Sequence, residues 1–336
     1  DDINRLTSVT AGVESLGYTY DNADNLVNMT SKDSIVSHSY DGANRLTNKT
    51  VNTMGRSGSL QFAYDNNDNL TKITFPSTMQ LLYTYNALNQ VISITGFGGA
   101  VTGINYFTSG AQLGLLKNYA FSNGQTTTLT YDNKRALTRT ASSASNLGFT
   151  YNDPRGNLTA VTDSLNGSQY KSFTYDEVSR LKTYNSSWGA GRFDYQANGN
   201  RSQKVLGSAV VYQYPSGDRL ISAGKTFDYN GDGETTRMGG FYFDYNPFHR
   251  LSQVRKDGAV LAGYGYDANG LRIYKTGSES KIYLNGPDGN VLSELDGSGN
   301  TLADYVYLNG TLVAKAGESD RKPVIAPWLL LLLNNK

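Results

Sequence analysis

The chain has 336 residues, 30 of them basic and 29 acidic for a net charge of +1, and it contains no cysteine. Charges so evenly balanced and scattered leave no electrostatic footprint for nucleic acid or an anionic membrane, and without cysteine there is neither a disulfide framework nor a thiolate site. With 12% aromatic residues, 25 tyrosines, 36 glycines and only 18% charged residues, the composition is that of a β-rich chain with many tight turns, not of a disordered one.

In chain order, Asp1-Asp2-Ile3-Asn4-Arg5-Leu6-Thr7 is the first instance of a pattern that recurs, here without its leading tyrosine, so the chain is expected to begin inside a unit of something longer. Tyr20-Asp21 to Leu26 and Tyr40-Asp41-Gly42-Ala43-Asn44-Arg45-Leu46-Thr47 follow. Further close copies start at Tyr64, Tyr131 and Tyr175, with looser ones at Tyr85, Tyr106, Tyr151, Tyr195, Tyr214, Tyr229, Tyr245 and Tyr266. A period of about 20 residues belongs to repeat architectures rather than to single-core domains. An aromatic stands two residues before most of these tyrosines, as in Tyr18 and Tyr20, Phe62 and Tyr64, or Phe173 and Tyr175. Spacing by two puts both rings on one strand face. The Asp, Asn and Gly that follow form a turn, because their side chains bond their own backbone and tolerate left-handed conformations. The next Leu opens a second strand.

Each unit is therefore strand, turn, strand, and the chain is expected to be all-β: serial antiparallel hairpins making a long, twisted sheet that curls, since more than roughly ten strands do not stay flat. The array is expected over 1–315, with the paired aromatics as one continuous ladder on the concave face. Residues 316–336 then form a linker and a short apolar tail. The run from Val324 to Leu333 is too short for a membrane-spanning helix and is broken by Pro327. Trp328, Leu329, Leu330 and Leu331 are expected to dock on apolar surface as a plug or assembly strand.

Groups suited to catalysis are few. His38 alternates onto the face of Tyr40 and reads as a packed structural histidine, and His249 as a turn residue. Asp228, Asn230 and Asp232 match the start of a calcium loop and make a weak metal candidate, but the position where such a loop carries its bidentate Glu is Gly239. No catalytic residue, no cofactor and no enzyme activity are expected. Asn-Leu-Thr sequons such as that at Asn69 arise from the repeat itself.

The phased copies resemble the YD repeats of RHS proteins, a family that includes bacterial polymorphic-toxin shells, the C components of insecticidal toxin complexes, and teneurins. The resemblance covers residues 1 to 315 and rests on more than a dozen copies. It implies a spiral or partial-shell wall, in a secreted or surface protein of bacterial type, that encloses or displays a cargo such as a toxin. The alternative it leaves open is an extracellular adhesin or self-assembling element, with sugar binding by the aromatic face. The implied partners are the upstream part of the same protein, an enclosed cargo, or further copies through open sheet edges. The stretches Leu271–Lys275, Lys281–Gly286 and Asp304–Ala314 resemble the last repeats of the family's core. Asp153-Pro154-Arg155-Gly156 is similar to the start of the family's self-cleavage signature but falls in repeat phase, so it reads as a turn, and no autoproteolytic residues are carried over.

Overall fold

In the computed structural model, which describes residues 1–96, 99–215 and 217–317, every regular element is a β-strand. The strands, numbered in chain order, run from β1 (Ser8–Ala11) to β30 (Thr311–Gly317). They form two antiparallel sheets of 20 and 10 strands in which successive strands pair, and neither sheet closes on itself. The all-β, serial-hairpin expectation holds. Trp328, Leu329, Leu330 and Leu331 lie outside the described residues.

Why the repeat makes hairpins is visible at β4 (Ser34–Tyr40) and β5 (Leu46–Thr53). Asp41 Oδ1 accepts the backbone N–H groups of Ala43 (2.9 Å) and Arg45 (3.0 Å), which closes the turn from inside. Asn44 takes up the left-handed conformation, with φ 61°, which Asn tolerates better than branched residues do. The register slips between Ser39 and Tyr40, so that Tyr40 stands opposite Leu46. This bulge recurs at Tyr20, Tyr64, Tyr85, Tyr131, Tyr175, Tyr195, Tyr245 and Tyr266. An extra residue at each strand end bends the strand and strengthens its twist.

The chain divides into two compact units, residues 1–100 together with those from 240 onward, and residues 101–239. In the first unit the hairpins, serial within each sheet, do not pack on their neighbours alone: two sheets pack face to face. Tyr18, Met29, Val36 and Val51 form one buried cluster with Ala268 and Ile273, from the other end of the chain. Gly58 faces Leu284 and Leu295, both fully buried. The seam carries polar ties as well: Tyr18 Oη donates to Ala268 O at 3.0 Å, and Ser77 Oγ to Asp304 Oδ2 at 2.8 Å. Apolar faces that nearest-neighbour stacking leaves open bury themselves on one another, because each hidden square ångström is worth about 25 cal/mol.

The second unit has a thinner core. Ile104, Tyr119, Phe121, Leu129, Leu147 and Val161 are buried, but from 162 to 239 no described residue is. The aromatic face is also not one continuous ladder. In the first unit it is filled largely by aliphatic residues such as Met29, Val36, Ile73 and Leu81. Rings meet as pairs, Tyr119 with Phe121 at 5.4 Å and Tyr184 with Phe193 at 6.3 Å. The reason is the register: an aromatic strand position sits opposite an aliphatic one, Tyr18 against Met29 and Phe62 against Ile73.

Candidate functional site

The most regular chemistry in the molecule lies along the seam where one repeat meets the next. The repeat tyrosines are half-buried at the strand ends, and most of their hydroxyls reach back to the carbonyl of the leucine that follows the previous repeat's turn. Tyr20 donates to Leu6 O (2.9 Å), Tyr40 to Leu26 O (3.0 Å), Tyr64 to Leu46 O (2.9 Å) and Tyr85 to Leu70 O (2.7 Å). Tyr151 donates to Leu137 O (3.1 Å), Tyr175 to Leu158 O (2.7 Å), Tyr195 to Leu181 O (2.8 Å) and Tyr266 to Leu251 O (2.8 Å). Tyr131 meets the Phe107 ring edge-on at 6.1 Å, and Tyr245 stands at its bulge opposite Leu251.

A second stitch, which the tyrosine spacing alone did not show, comes from the residue five places after the tyrosine. Arg45 donates to its own turn's Asp41 Oδ2 (2.8 Å), then forward to Asp65 O (2.6 Å) and Asp68 Oδ1 (2.8 Å) of the next turn. Its guanidinium lies 5.0 Å from the centre of the Tyr64 ring. Arg5 repeats this over Tyr20 (4.9 Å) and Arg180 over Tyr195 (4.5 Å). Where the position is Asn, the amide bridges instead: Asn25 to Asn44 Oδ1 (2.9 Å) and Asn69 to Asn89 Oδ1 (3.0 Å). The signal was in the sequence, as the Arg or Asn before Leu6, Leu26, Leu46, Leu70 and Leu181.

Both histidines sit where the sequence placed them. His38 is held through Nδ1 by Leu26 O at 3.1 Å, and burial, with Lys49 nearby, pushes its pKa down. His249 occupies the left-handed turn position, with φ 60°. Of the calcium candidates, Asp228 is paired with Arg237 at 2.6 Å. Asn230 Oδ1 accepts the N–H groups of Asp232 (3.1 Å) and Glu234 (2.9 Å) as a turn former, and Asp232 is exposed.

Buried polar groups between the sheets of the first unit are anchored rather than poised. Asp304 accepts from Ser293 Oγ (2.6 Å) and Ser77 Oγ (2.8 Å), and burial raises its pKa. It adjoins a cavity of about 600 Å³ that Thr78, Met79, Asn300 and Thr301 also line. Burial and the neighbouring Asp33 carboxylate push the Tyr274 hydroxyl up to about 12. Lys49 is buried and its pKa is lowered for that reason. These are the arrangements of a packed interface between sheets.

A model of the teneurin YD-shell matches the chain over residues 1–152 and 149–283. No curated protein sequence matches it. Among solved structures, the chain is similar to the Photorhabdus luminescens Tc holotoxin pore carrying a TccC3 mutation, at 12% identity and a TM-score of 0.66, covering 95% of this chain and 22% of that one. It is likewise similar to TcdB2-TccC3, at 11% identity and a TM-score of 0.57, covering 90% of this chain and 22% of that one. The chain thus spans about a fifth of the length of these relatives, and the likeness is one of fold. The bulged Tyr-Asp hairpins, the tyrosine stitches and the family match agree, and the chain belongs to the teneurin YD-shell family of RHS/YD-repeat proteins.

Proposed function

We propose that the chain is a non-catalytic segment of a β-shell wall, part of a larger secreted or surface protein of bacterial type that encloses or displays a cargo. The observation that carries this reading is the double stitch between repeats: tyrosine to leucine backbone, and arginine or asparagine to the next turn. Such a stitch makes each unit the template for the next and lets a sheet lengthen without limit, which suits a wall. Among the described residues no helix is long and apolar enough to cross a membrane. The solved neighbours, one called a holotoxin pore and another pairing TcdB2 with TccC3, are chains several times longer than this one, which supports a partner supplied by the rest of a long protein. Electron microscopy of the full-length protein tests this: a hollow particle with the segment in its wall is expected. An open filament or an adhesive oligomer growing from free sheet edges would favour the alternative of a self-assembling surface element. Removing residues 324–336 and measuring assembly state tests the docking of the apolar tail in the same preparations.

A further inference from the structure

In the first unit, the face that carries the aromatic two places before each repeat tyrosine is closed by the second sheet, and Phe62 there is 4% exposed. In the second unit the register puts Phe173 opposite Tyr184, Tyr184 opposite Gly191, and Phe193 opposite Lys204, so all of these share the equivalent face. Here they are only half-buried, and Leu206 on the same face is 41% exposed. The partly exposed rings and Leu206 thus lie together on one face, and contiguous exposed apolar surface of that kind is where interaction sites are found.

The charges on that face have one sign. Over β16 (Lys171–Tyr175), β17 (Leu181–Ser186), β18 (Gly189–Tyr195), β19 (Arg201–Leu206) and β20 (Ser208–Val211) it presents Lys171, Arg201 and Lys204. The carboxylate of those strands, Asp194, alternates to the other face, where it pairs with Arg192 at 3.1 Å. On the neighbouring strand β15 (Ala160–Asp163) the same face carries Asp163, which accepts the N–H of Leu165 at 3.0 Å. Arg201 lies 4.8 Å from the Phe193 ring centre and 5.6 Å from that of Tyr212, and its Nε is buried without a hydrogen-bond partner. Lys171 lies 5.0 Å from the centre of Trp188, a ring 70% exposed.

We infer that this face of β16–β20 is a docking surface for an acidic polypeptide with apolar side chains, which covers it much as the second sheet covers its counterpart. Carboxylates of the partner meet Lys171, Lys204 and the outer nitrogens of Arg201, while its apolar side chains lie on Phe173, Tyr184, Phe193 and Leu206. The inference deepens the wall reading by naming what this part of the wall accepts.

The test uses the whole chain with Trp328→Phe, which leaves Trp188 as its sole tryptophan. The probe is a random copolymer of glutamate and tyrosine, titrated against Trp188 fluorescence. Saturable binding is expected, weakened by added salt and weakened about tenfold or more in Lys171→Glu/Lys204→Glu. Arg192→Glu reverses one charge on the opposite face, as each half of the double variant does on this one, and should bind as the parent does, whereas Lys171→Glu alone should already weaken binding. The inference is overturned if the copolymer does not bind, if Arg192→Glu weakens it as much as the double variant, or if a lysine–tyrosine copolymer binds equally well. Equal binding of alginate, an acidic polysaccharide, would also overturn it and assign the face to polyanions in general. A hollow full-length particle with no copolymer binding would remove this inference and leave the wall reading standing; binding by a protein that forms filaments would do the reverse.

Discussion

Phe62 and Phe173 occupy the same place in their repeats, yet truncating them to alanine should cost different amounts. Phe62 is 4% exposed, on the face that Leu284 and Leu295 help to close. Its removal takes away the transfer energy of the ring and leaves a hole between two sheets that cannot collapse, which costs about 3–5 kcal/mol. Phe173, for which strand alternation alone predicts that full cost, is half-buried on an uncovered face. Water enters the space it leaves, so only the part of a ~150–200 Å² ring that its neighbours shield is lost, about 2–3 kcal/mol at ~25 cal/mol per Å², with no cavity added. Urea unfolding followed by far-ultraviolet circular dichroism and tyrosine fluorescence measures both variants, with the shift read on each transition separately if the two units unfold apart. Equal losses would refute the claim that the second unit's face lacks the cover that the first unit's face has.

Tyr64→Phe removes the hydroxyl that stitches two repeats and should lower stability by about 1 kcal/mol, with faster amide exchange at residues 46 to 48 and little change in the strands further away. Gly58→Leu should destabilise by about 1–3 kcal/mol by overpacking, since even a Cβ there would come within 2.9 Å of Leu284 Cδ2; an unchanged urea midpoint would mean the sheets separate freely. The turn carboxylates Asp21, Asp41 and Asp65 are held below the usual range chiefly by hydrogen bonds from the residue four places on, so their stabilisation is complete above the unfolded value of ~3.9 and is lost as pH falls through their folded values. Asp304 has the opposite sign: burial raises its folded pKa, so its contribution is best below ~3.9 and declines as pH rises from there to the raised value. Asp304→Asn should flatten that decline in a pH series of urea midpoints, and an unaltered slope would count against it.

The repeat was legible because its cause is local. A Tyr-Asp turn closes through Asp Oδ1 on N–H groups two and four residues away, with a left-handed residue between them, as at Asp41, Ala43, Asn44 and Arg45. Contacts that short in sequence leave a spacing that can be read from letters, and so hairpins, all-β class, family and the turn role of His249 followed from the chain alone. The arginine stitch was also written there, though its geometry was not: only the folded sheet brings Arg45 to Asp65, Asp68 and the Tyr64 ring. What the sequence could not decide is which copies of one motif are covered. Phe62 and Phe173 are spelled alike, and strand alternation places both on the same kind of face. Whether that face meets a second sheet depends on contacts such as Tyr18 with Ala268 and Ser77 with Asp304, more than 220 residues apart. A period of 20 carries no trace of a partner at that distance, so burial of the face, the burial of Asp304 and Lys49, and the open cationic surface of β16–β20 were settled by tertiary packing.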